Sequence, residues 1–461
     1  MNRTLADFAA IVGGRLHGRD GPFDQVTIDT RKLASGDLFM ALPGERADGH
    51  DYVSAAAAAA AAGAVVTRLQ ALDFPQIVVP DVGQALHAAA AAWRAQFTLP
   101  LIGVAGSNGK TTVKEMLAAI LSRAGACLST AGNLNNHLGV PLTLLRLEKK
   151  HRSAVIEIGA NRAGEVAALA ALARPNIALI TNAGAEHLEG FGDLEGVARA
   201  EGEIVASLGP QGVAVLNADD PYLGLWKGMT RGRVVTFGLG ESASVRAFDV
   251  QQTVDEGGFL SRFKLRSRSG IVDMELSLAG EHNVRTAACA AAAAQAAGAL
   301  LTDVAKGLRG LRAVSGRLQF RRTAGGAWLI DDSYNANPSS VKAAIAVLAG
   351  MPGKKWMVFG DMAELGGHSA DSHREIGVVA REHGVERLYT FGKLAALAAD
   401  TFNKGAAAGQ EAYCFTDGEA LAEELNGALH AEVRLLVKGS RVNRLERVVA
   451  ALGAVPTGKA V

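Results

Sequence analysis

The amino-acid sequence predicts an α/β protein of three domains in which sheets are covered by helices. Its 461 residues exceed what one domain usually holds, since domains run to roughly 100 to 200 residues. Apolar, strand-like runs alternate with helical patterns in two separate stretches, which is typical of parallel sheets. The composition, with 49% hydrophobic and 20% charged residues, is that of a globular protein and indicates neither disorder nor a fibrous architecture.

The first segment, residues 1–98, predicts a small α/β domain. A short helix is expected at residues 5–12, followed by the strand-like run GPFDQVTIDT. The alanine run at residues 55–62 predicts a helix packed through small side chains, because it is far shorter than the roughly 18 apolar residues of a membrane span. The first residues lack the apolar core of a signal peptide, so we expect a cytoplasmic location.

The second segment, residues 99–313, predicts a parallel sheet. Residues 99–105 form an apolar run typical of a buried strand, and apolar residues recur at helical spacing from 113 to 121. The runs SAVIEIG, NIALITNAG, GVAVLNADDP and VVTFG then alternate with helical stretches. Around residues 267–270 the pattern changes to that of a β-hairpin appended to the sheet.

The third segment, residues 314–461, predicts a second doubly wound domain of the Rossmann-like type. Its strand-like runs are AWLIDDS, KKWMVFGDM, ERLYTFG, EAYCFTD and VRLLVKGS. Helical patterns such as SSVKAAIAVLAG separate these runs. Domain boundaries are therefore expected near residues 98 and 313.

Charge and cysteine usage exclude several classes of protein. Lys and Arg total 47 against 46 Asp and Glu, without a long basic run, so the electrostatic signature of a nucleic-acid binder is missing. The three cysteines lie far apart and form no CxxC pair, which argues against a disulfide framework or a structural zinc site. Chemistry on small molecules is favoured instead.

The most informative motif is GVAGSNGKTT at residues 103–112, where a strand enters a glycine turn and continues as a helix. Backbone N–H groups and the helix dipole attract phosphate there, Lys110 adds a charge, and the Thr111 hydroxyl suits magnesium. Val104 stands where the common G-x-x-x-x-G-K-[ST] pattern has its first glycine, so the turn is a shorter one. The motif predicts a central P-loop ATPase domain whose nucleotide contacts come from Gly106, Ser107, Asn108, Gly109, Lys110, Thr111 and Thr112.

The shorter loop resembles that of the Mur ligases and folylpolyglutamate synthetases, which activate a carboxylate as an acyl phosphate and join it to an amine. The segments TAGNLNNHLGVPLTLL, AVIEIGANRAGEV, AEHLEGFG, NADDP, DDSYNANPSS and GDMAELG extend the resemblance over nearly the whole chain. They resemble the branch of the Mur ligase family that adds D-alanyl-D-alanine to UDP-N-acetylmuramoyl-tripeptide. The resemblance implies a monomeric ligase of peptidoglycan synthesis that uses ATP and Mg²⁺.

The same resemblance implies roles for individual residues. Thr111 and Glu157 would hold one magnesium ion, and His187 would help to hold a second one near the acyl phosphate. Many relatives carry at position 201 a lysine whose carbamylated side chain supplies a carboxylate, and Glu201 is expected to supply that carboxylate directly. Lys110, His187 and Glu201 are therefore the predicted catalytic residues.

Nucleotide and substrate contacts are also implied by the resemblance. Asn283, Arg317 and Asp332 would hold ATP across a domain junction, whereas Thr286 replaces an asparagine of the family pattern. Contacts from the third domain imply that ATP binding closes the domains over the loop. The expected contacts to the uridine nucleotide, the acceptor carboxylate and the dipeptide are Thr30, Arg31, Asn133, Asn135, Asn136, Asn335 and Asn337.

Three alternatives remain open on the sequence. A sister ligase, either the one that adds the third peptide residue or a folylpolyglutamate synthetase, would share most motifs. A P-loop ATPase or GTPase switch would share the loop, but the sequence has no NKxD base-reading motif. A catalytically inactive nucleotide-binding scaffold is disfavoured by the intact residues Lys110, Thr111, Glu157 and His187.

Overall fold

The computed structural model describes residues 3–44 and 47–456. Its strands form three large sheets that follow one another along the chain. Helices cover these sheets, which confirms the predicted α/β class with three successive α/β units. None of the described helices is long and apolar enough to cross a membrane.

The N-terminal unit contains a small sheet and a separate two-stranded ribbon. Its elements are β1 (Arg3–Thr4), α1 (Leu5–Val12), β2 (Arg15–His17), β3 (Pro22–Phe23), β4 (Val26–Thr27), β5 (Leu38–Met40), α2 (Val53–Ala58), β6 (Gly63–Val66), β7 (Gln76–Val78) and α3 (Val82–Arg94). The sheet has the strand order β2-β7-β6-β5-β4, and β1 pairs with β3.

Two expectations for this unit need correction, while the helix at residues 5–12 is confirmed as α1. The run GPFDQVTIDT is not one strand, because it divides into β3 and β4, which join different sheets. The alanine run is helical only as far as Ala58. Ala60 adopts a left-handed backbone with φ 58°, and the Ala62 N–H donates to Asp37 O at 2.8 Å, so the chain leaves the helix to enter β6.

The central unit is a nine-stranded sheet with helices on its faces. Its elements are β8 (Leu101–Ala105), α4 (Lys110–Leu121), β9 (Ala126–Ser129), α5 (Gly139–Leu145), β10 (His151–Glu157), α6 (Glu165–Ala173), β11 (Ile177–Ile180), α7 (Leu188–Phe191), α8 (Leu194–Ala206), β12 (Val213–Asn217), α9 (Leu223–Met229), β13 (Arg233–Gly238), β14 (Val245–Asp255), β15 (Gly258–Ser267), β16 (Gly270–Leu276), α10 (Glu281–Ala296) and α11 (Leu301–Leu308).

The strand order of this sheet is β16-β15-β14-β13-β12-β11-β8-β10-β9. Strands from β9 to β14 are parallel to their neighbours, and β15 and β16 extend the sheet in antiparallel fashion. The predicted hairpin is confirmed, since Ser267 pairs with Gly270 across the turn between β15 and β16.

Helix α4 is held on the sheet by its apolar face. Val113, Met116, Leu117 and Ile120 are fully buried, and burial of such side chains stabilises a fold by about 1.5 to 3 kcal/mol each. They pack with the alanine-rich helix α10, whose small side chains allow a close approach. The helix that follows the phosphate loop is therefore fixed in place by the core.

The C-terminal unit is a seven-stranded, mostly parallel sheet. Its elements are β17 (Gln319–Arg322), β18 (Trp328–Asp332), α12 (Pro338–Ala349), β19 (Lys354–Gly360), α13 (Ser369–Glu382), β20 (Arg387–Phe391), α14 (Ala396–Lys404), β21 (Glu411–Phe415), α15 (Gly418–Ala428), β22 (Val433–Lys438), α16 (Glu446–Ala451) and β23 (Val455–Pro456). The order is β21-β20-β19-β22-β18-β17-β23. Among the described strands of this sheet, the antiparallel pairs are those that β17 forms with β18 and with β23 at one edge.

Candidate active site

A cavity of about 880 Å³, lined by polar and apolar groups, lies between the central and C-terminal units. Of the residues predicted to form the site, all except Thr30, Arg31, Gly106 and Glu201 line it. The structure therefore brings together residues that are as far apart in sequence as Ser107 and Asn337. The cavity contains the predicted nucleotide, metal and dipeptide residues in one continuous space.

Sheet topology explains why the cavity lies here. Strand β8 lies between β10 and β11, so the connections that leave these neighbouring strands diverge at the carboxyl end of β8. Ligands of open α/β sheets bind in the crevice at such a switch point. Glu157 ends β10 in register with Val104 of β8, which places its carboxylate beside the phosphate loop.

The first three backbone N–H groups of the phosphate loop donate hydrogen bonds to other parts of the protein. Gly106 N–H donates to Glu201 Oε2 at 2.6 Å, Ser107 N–H to Asn182 O at 2.9 Å, and Asn108 N–H to Asn182 Oδ1 at 3.2 Å. The N–H groups at the start of α4, from Gly109 onward, remain the candidates for phosphate, because the first turn of a helix leaves its donors without intrahelical partners. The nucleotide contacts predicted for the whole loop stay a prediction.

Gly106 is required for the shape of the loop. Its φ is 118°, and a Cβ at this position would lie 2.1 Å from Thr181 Oγ1. No other residue type fits without movement of the backbone at the end of β11.

Lys110 lies among buried carboxylates. Its Nζ donates to Gly106 O at 2.5 Å and forms an ion pair with Glu186 Oε1 at 3.3 Å. Burial lowers the pKa of Lys110, but the charges of Glu186, Glu201 and Glu157 outweigh it and raise the pKa above its ordinary value. The side chain therefore enters the site as a cation.

Glu186 is a site residue that sequence reasoning missed, although it lies in the motif AEHLEGFG. Burial raises its pKa to about 7, against the opposing charge of Lys110. The signal that could have identified it is its place at the end of the segment after β11, next to His187. The ion pair between Glu186 and Lys110, however, cannot be predicted from the local sequence, because the two residues lie far apart along the chain.

Glu157 and Thr111 form the candidate metal site. Thr111 Oγ1 donates to Glu157 Oε1 at 3.3 Å, and Asn135 Nδ2 donates to the same oxygen at 2.9 Å. The second oxygen, Oε2, is buried without a hydrogen-bond partner among the described residues. A carboxylate oxygen in that situation is costly unless a cation neutralises it, so these residues suit a divalent metal ion.

His187 occupies an unusual backbone conformation at the start of α7. Its φ is 47°, a left-handed value that is rare for a residue with a Cβ. Its Nδ1 contacts Oε2 of Glu364, which comes from the C-terminal unit. Burial lowers the pKa of His187, which favours the neutral imidazole that binds metals.

Glu201 is buried on α8 and does not line the cavity. Its Oε2 is committed to the Gly106 N–H, and burial raises its pKa against the opposing charge of Lys110. The structure thus gives this carboxylate a partner that the sequence did not suggest. Its predicted role toward a second metal ion stays a prediction, and the geometry does not add to it.

Arg317 and Asp332 reach the cavity from the C-terminal unit. Arg317 Nη2 donates to Thr111 Oγ1 at 3.1 Å, and its guanidinium lies 4.4 Å from the centre of the Tyr334 ring. Asp332 Oδ2 accepts from Lys438 Nζ at 2.5 Å, and burial raises the pKa of Asp332 despite that cation. Both predicted residues line the cavity and are held by protein partners, and Arg317 contacts the phosphate loop directly through Thr111.

Amide side chains connect the C-terminal unit to the phosphate loop. Asn337 Nδ2 donates to Asn108 Oδ1 at 2.9 Å, while Asn337 Oδ1 accepts the Ser340 N–H at 2.8 Å and caps α12. Asn283 lines the cavity and donates to Ala279 O at 2.7 Å. Thr286 Oγ1 donates to a backbone oxygen of its own helix, His282 O, at 2.8 Å.

Thr30 and Arg31 lie outside the cavity. They belong to a short 3-10 turn of residues 30–32, capped by Asp29. Asp29 pairs with Arg31 at 2.8 Å, and the Arg31 side chain is 87% exposed. The structure does not bring these two residues together with the others, and their contact with a uridine nucleotide stays a prediction.

Three family models match the chain in the order of its three sheets. The model described as "Mur ligase family, catalytic domain" matches residues 22–96, and "Mur ligase middle domain" matches residues 104–294. The model "Mur ligase, glutamate ligase domain" matches residues 316–441.

Curated relatives are similar over almost the full length. The UDP-N-acetylmuramoyl-tripeptide--D-alanyl-D-alanine ligase of Escherichia coli strain K12 is 42% identical over 451 residues, which cover 97% of this chain and 98% of the relative. The protein of the same name from Bacillus subtilis strain 168 is 35% identical over 460 residues, with coverage of 97% and 98%.

Solved structures have the same arrangement. A crystal structure of MurF from Acinetobacter baumannii superposes with a TM-score of 0.89 at 34% identity, covering 98% of this chain and 99% of that one. MurF from Thermotoga maritima in complex with ADP gives a TM-score of 0.78 at 27% identity, covering 93% and 96%.

Proposed function

The chain belongs to the Mur ligase family, and we propose that it joins D-alanyl-D-alanine to UDP-N-acetylmuramoyl-tripeptide with ATP as the energy source. It is an ATP-dependent carboxylate–amine ligase. The observation that carries the proposal is the cavity between the central and C-terminal units. There the start of α4 faces Arg317 and Asp332 across a space lined by the predicted substrate residues.

The reaction needs a leaving group that a bare carboxylate lacks. A carboxylate oxygen of the tripeptide attacks the γ-phosphorus of ATP, releasing ADP and forming an acyl phosphate. The dipeptide amine then attacks the acyl carbon, the C–N bond forms, phosphate leaves with the original carboxylate oxygen, and the amine gives up a proton. Negative charge develops in both steps, so preorganised donors and cations contribute most of the rate enhancement.

Residues of this chain match those needs. The Lys110 cation and the N–H groups at the start of α4 stabilise the transferring phosphoryl group. Arg317 provides a planar fork suited to phosphate oxygens. Asn108 and Asn337, linked across the domain junction, help to close the cavity against water, which would hydrolyse an acyl phosphate.

Mg²⁺ fits the donors that the cavity provides. Glu157 Oε2 has no other partner in the described structure, and the Thr111 hydroxyl lies next to the same carboxylate. When bound there, Mg²⁺ would neutralise charge on the β- and γ-phosphates. His187 is our candidate for a second ion near the acyl phosphate.

The remaining assignments are proposals of the same kind. We propose a division into domains at 1–98, 99–313 and 314–461, which the succession of the three sheets along the chain supports. Asn133, Asn135 and Asn136 are proposed for the acceptor carboxylate, Asn335 and Asn337 for the dipeptide, and Thr30 and Arg31 for the uridine nucleotide. A monomer in the cytoplasm, acting in peptidoglycan synthesis and thereby in cell shape and division, is the expected biological setting.

Phosphate release tests this function directly. Purified protein is given ATP and Mg²⁺ with a matrix of precursors and amine acceptors, and Lys110→Met serves as the inactive control. We expect release only when the tripeptide precursor and D-alanyl-D-alanine are both present. Release with diaminopimelate or glutamate in place of the dipeptide would instead identify a sister ligase, and release without any acceptor would identify an ATPase.

A further inference from the structure

The loop after β19, residues 361–365, has no part in the chemistry above, yet it reaches across the domain junction. Oε2 of Glu364 in this loop lies within ion-pair distance of Nδ1 of His187, although the two atoms are not aligned as a hydrogen bond in this structure. The backbones are joined as well, because Glu189 N–H donates to Glu364 O at 3.4 Å. The motif GDMAELG thus provides His187 with a partner from the other side of the cavity.

Both partners of this contact have left-handed backbones. The φ of His187 is 47° and that of Glu364 is 64°, although neither is glycine. Such backbone is unfavourable for residues with a Cβ, and it persists only where the surrounding structure holds it. That two facing loops both adopt it, at the two residues whose side chains touch, indicates that the contact is specific.

The loop is held firmly from behind by the C-terminal unit. Met362 N–H donates to the buried His373 Nε2 at 2.9 Å, and Ala363 N–H donates to Ser440 Oγ at 2.8 Å. The position of Glu364 therefore follows the position of the C-terminal unit. Ser440, which accepts the Ala363 N–H, belongs to the sequence KGSR at residues 438–441, at the end of β22.

We propose that Glu364 is a positioning residue for His187, which it orients only while the C-terminal unit is docked on the central one. A carboxylate that accepts a hydrogen bond from Nδ1 fixes the proton on that nitrogen and leaves Nε2 free to bind a cation. Metal-binding histidines commonly have such a carboxylate behind them, and its loss weakens metal affinity or activity about 10- to 100-fold. This inference rests on the proposed function, in which His187 helps to hold a metal ion near the acyl phosphate.

A matched set of variants tests the kinetic consequence. Glu364→Ala removes the carboxylate, Glu364→Gln keeps an accepting oxygen, and Glu189→Ala removes an exposed carboxylate of the neighbouring helix α7 as the control. We expect Glu364→Ala to lower kcat about 10- to 100-fold and to raise the Mg²⁺ concentration needed for half-maximal rate, with KM for ATP little changed. The kcat of Glu364→Gln should lie between those of Glu364→Ala and the unsubstituted protein. The kcat of the Glu189→Ala control should equal that of the unsubstituted protein.

A double-substitution cycle shows whether Glu364 acts through His187. Once His187→Ala is present, Glu364→Ala should cause no further loss of rate. The proposal would be overturned if the rate of the double variant fell by the product of the two single losses. Equal rates in Glu364→Ala and Glu189→Ala would overturn it as well. Thermal melting of each variant excludes loss of the fold as the cause.

Nitrogen NMR of histidine-labelled protein gives a measurement that does not depend on turnover. With an ATP analogue and precursor bound, the His187 resonances, assigned by their loss in His187→Ala, should report a proton on Nδ1. In Glu364→Ala the preference of the proton for Nδ1 should be lost. An unchanged tautomer of His187 in that variant would refute the proposed pairing of Glu364 with His187. If the unsubstituted protein shows no dipeptide-dependent phosphate release, the proposed function fails, whereas the tautomer result still decides whether the pair forms.

Discussion

The hydrogen bond between Glu201 and the first glycine of the phosphate loop allows a quantitative test. Glu201 Oε2 accepts the Gly106 N–H at 2.6 Å in a buried environment, so Glu201→Ala leaves that donor without an acceptor. A buried, unpaired donor costs about 1 to 3 kcal/mol, which corresponds to about a 5- to 150-fold change in an equilibrium constant. If the loop must keep this shape to bind phosphate, the Kd of an ATP analogue rises by that factor.

Isothermal titration calorimetry with a non-hydrolysable ATP analogue measures this change. Glu201→Gln is the matched variant, because its amide oxygen can still accept the Gly106 N–H, and its Kd should lie much closer to that of the unsubstituted protein. An unchanged Kd in Glu201→Ala would refute the role assigned to this hydrogen bond. The metal role predicted from the sequence has a separate signature, which is recovery of catalysis with added bicarbonate in Glu201→Ala.

Substitutions elsewhere around the cavity have equally definite expected outcomes. Gly106→Ala places a Cβ 2.1 Å from Thr181 Oγ1, so the loop must shift, and we expect phosphate release to be lost and the melting temperature to fall; unchanged phosphate release would contradict this. Arg317→Lys loses the two-pronged guanidinium, and KM for ATP should rise about 5- to 150-fold, for a loss of about 1 to 3 kcal/mol; an unchanged KM would contradict this. Lys438→Met leaves the Asp332 carboxyl, whose pKa burial raises, without its cation. Because the protonated form tolerates burial, denaturant titrations should show a destabilisation that grows as the pH rises above the raised native-state pKa of Asp332, toward about 3 to 5 kcal/mol, and not one that is equal at every pH.

Much of the fold was predictable because the elements that carry it are local. The apolar run at residues 99–105, the glycine turn and the helical spacing after it predict the β8–loop–α4 unit that the structure contains. The hairpin at residues 267–270 was equally local. By contrast, the division of GPFDQVTIDT between two sheets depends on which distant strands its halves meet, and no periodicity within the run indicates that.

The residues of the candidate site were largely predictable, with Glu186 as an exception, but the contacts between them were not. Family motifs identified Lys110, Glu157 and His187, which all line one cavity. Their partners were missed where contacts cross between units, as with Glu364 on His187. Such contacts join loops more than a hundred residues apart, and the short-range patterns that predict helices and strands carry no information about them.

Transfer of a labelled oxygen tests the central claim, which is that catalysis proceeds through an acyl phosphate of the tripeptide precursor. Precursor with both oxygens of its reacting carboxylate replaced by heavy oxygen is incubated with ATP, Mg²⁺ and D-alanyl-D-alanine, and the released phosphate and the amide product are analysed by mass spectrometry. Because the attacking carboxylate oxygen leaves with phosphorus, we expect one labelled oxygen in each phosphate released with the pentapeptide product. Phosphate without label, or label transfer without amide formation, would contradict the account.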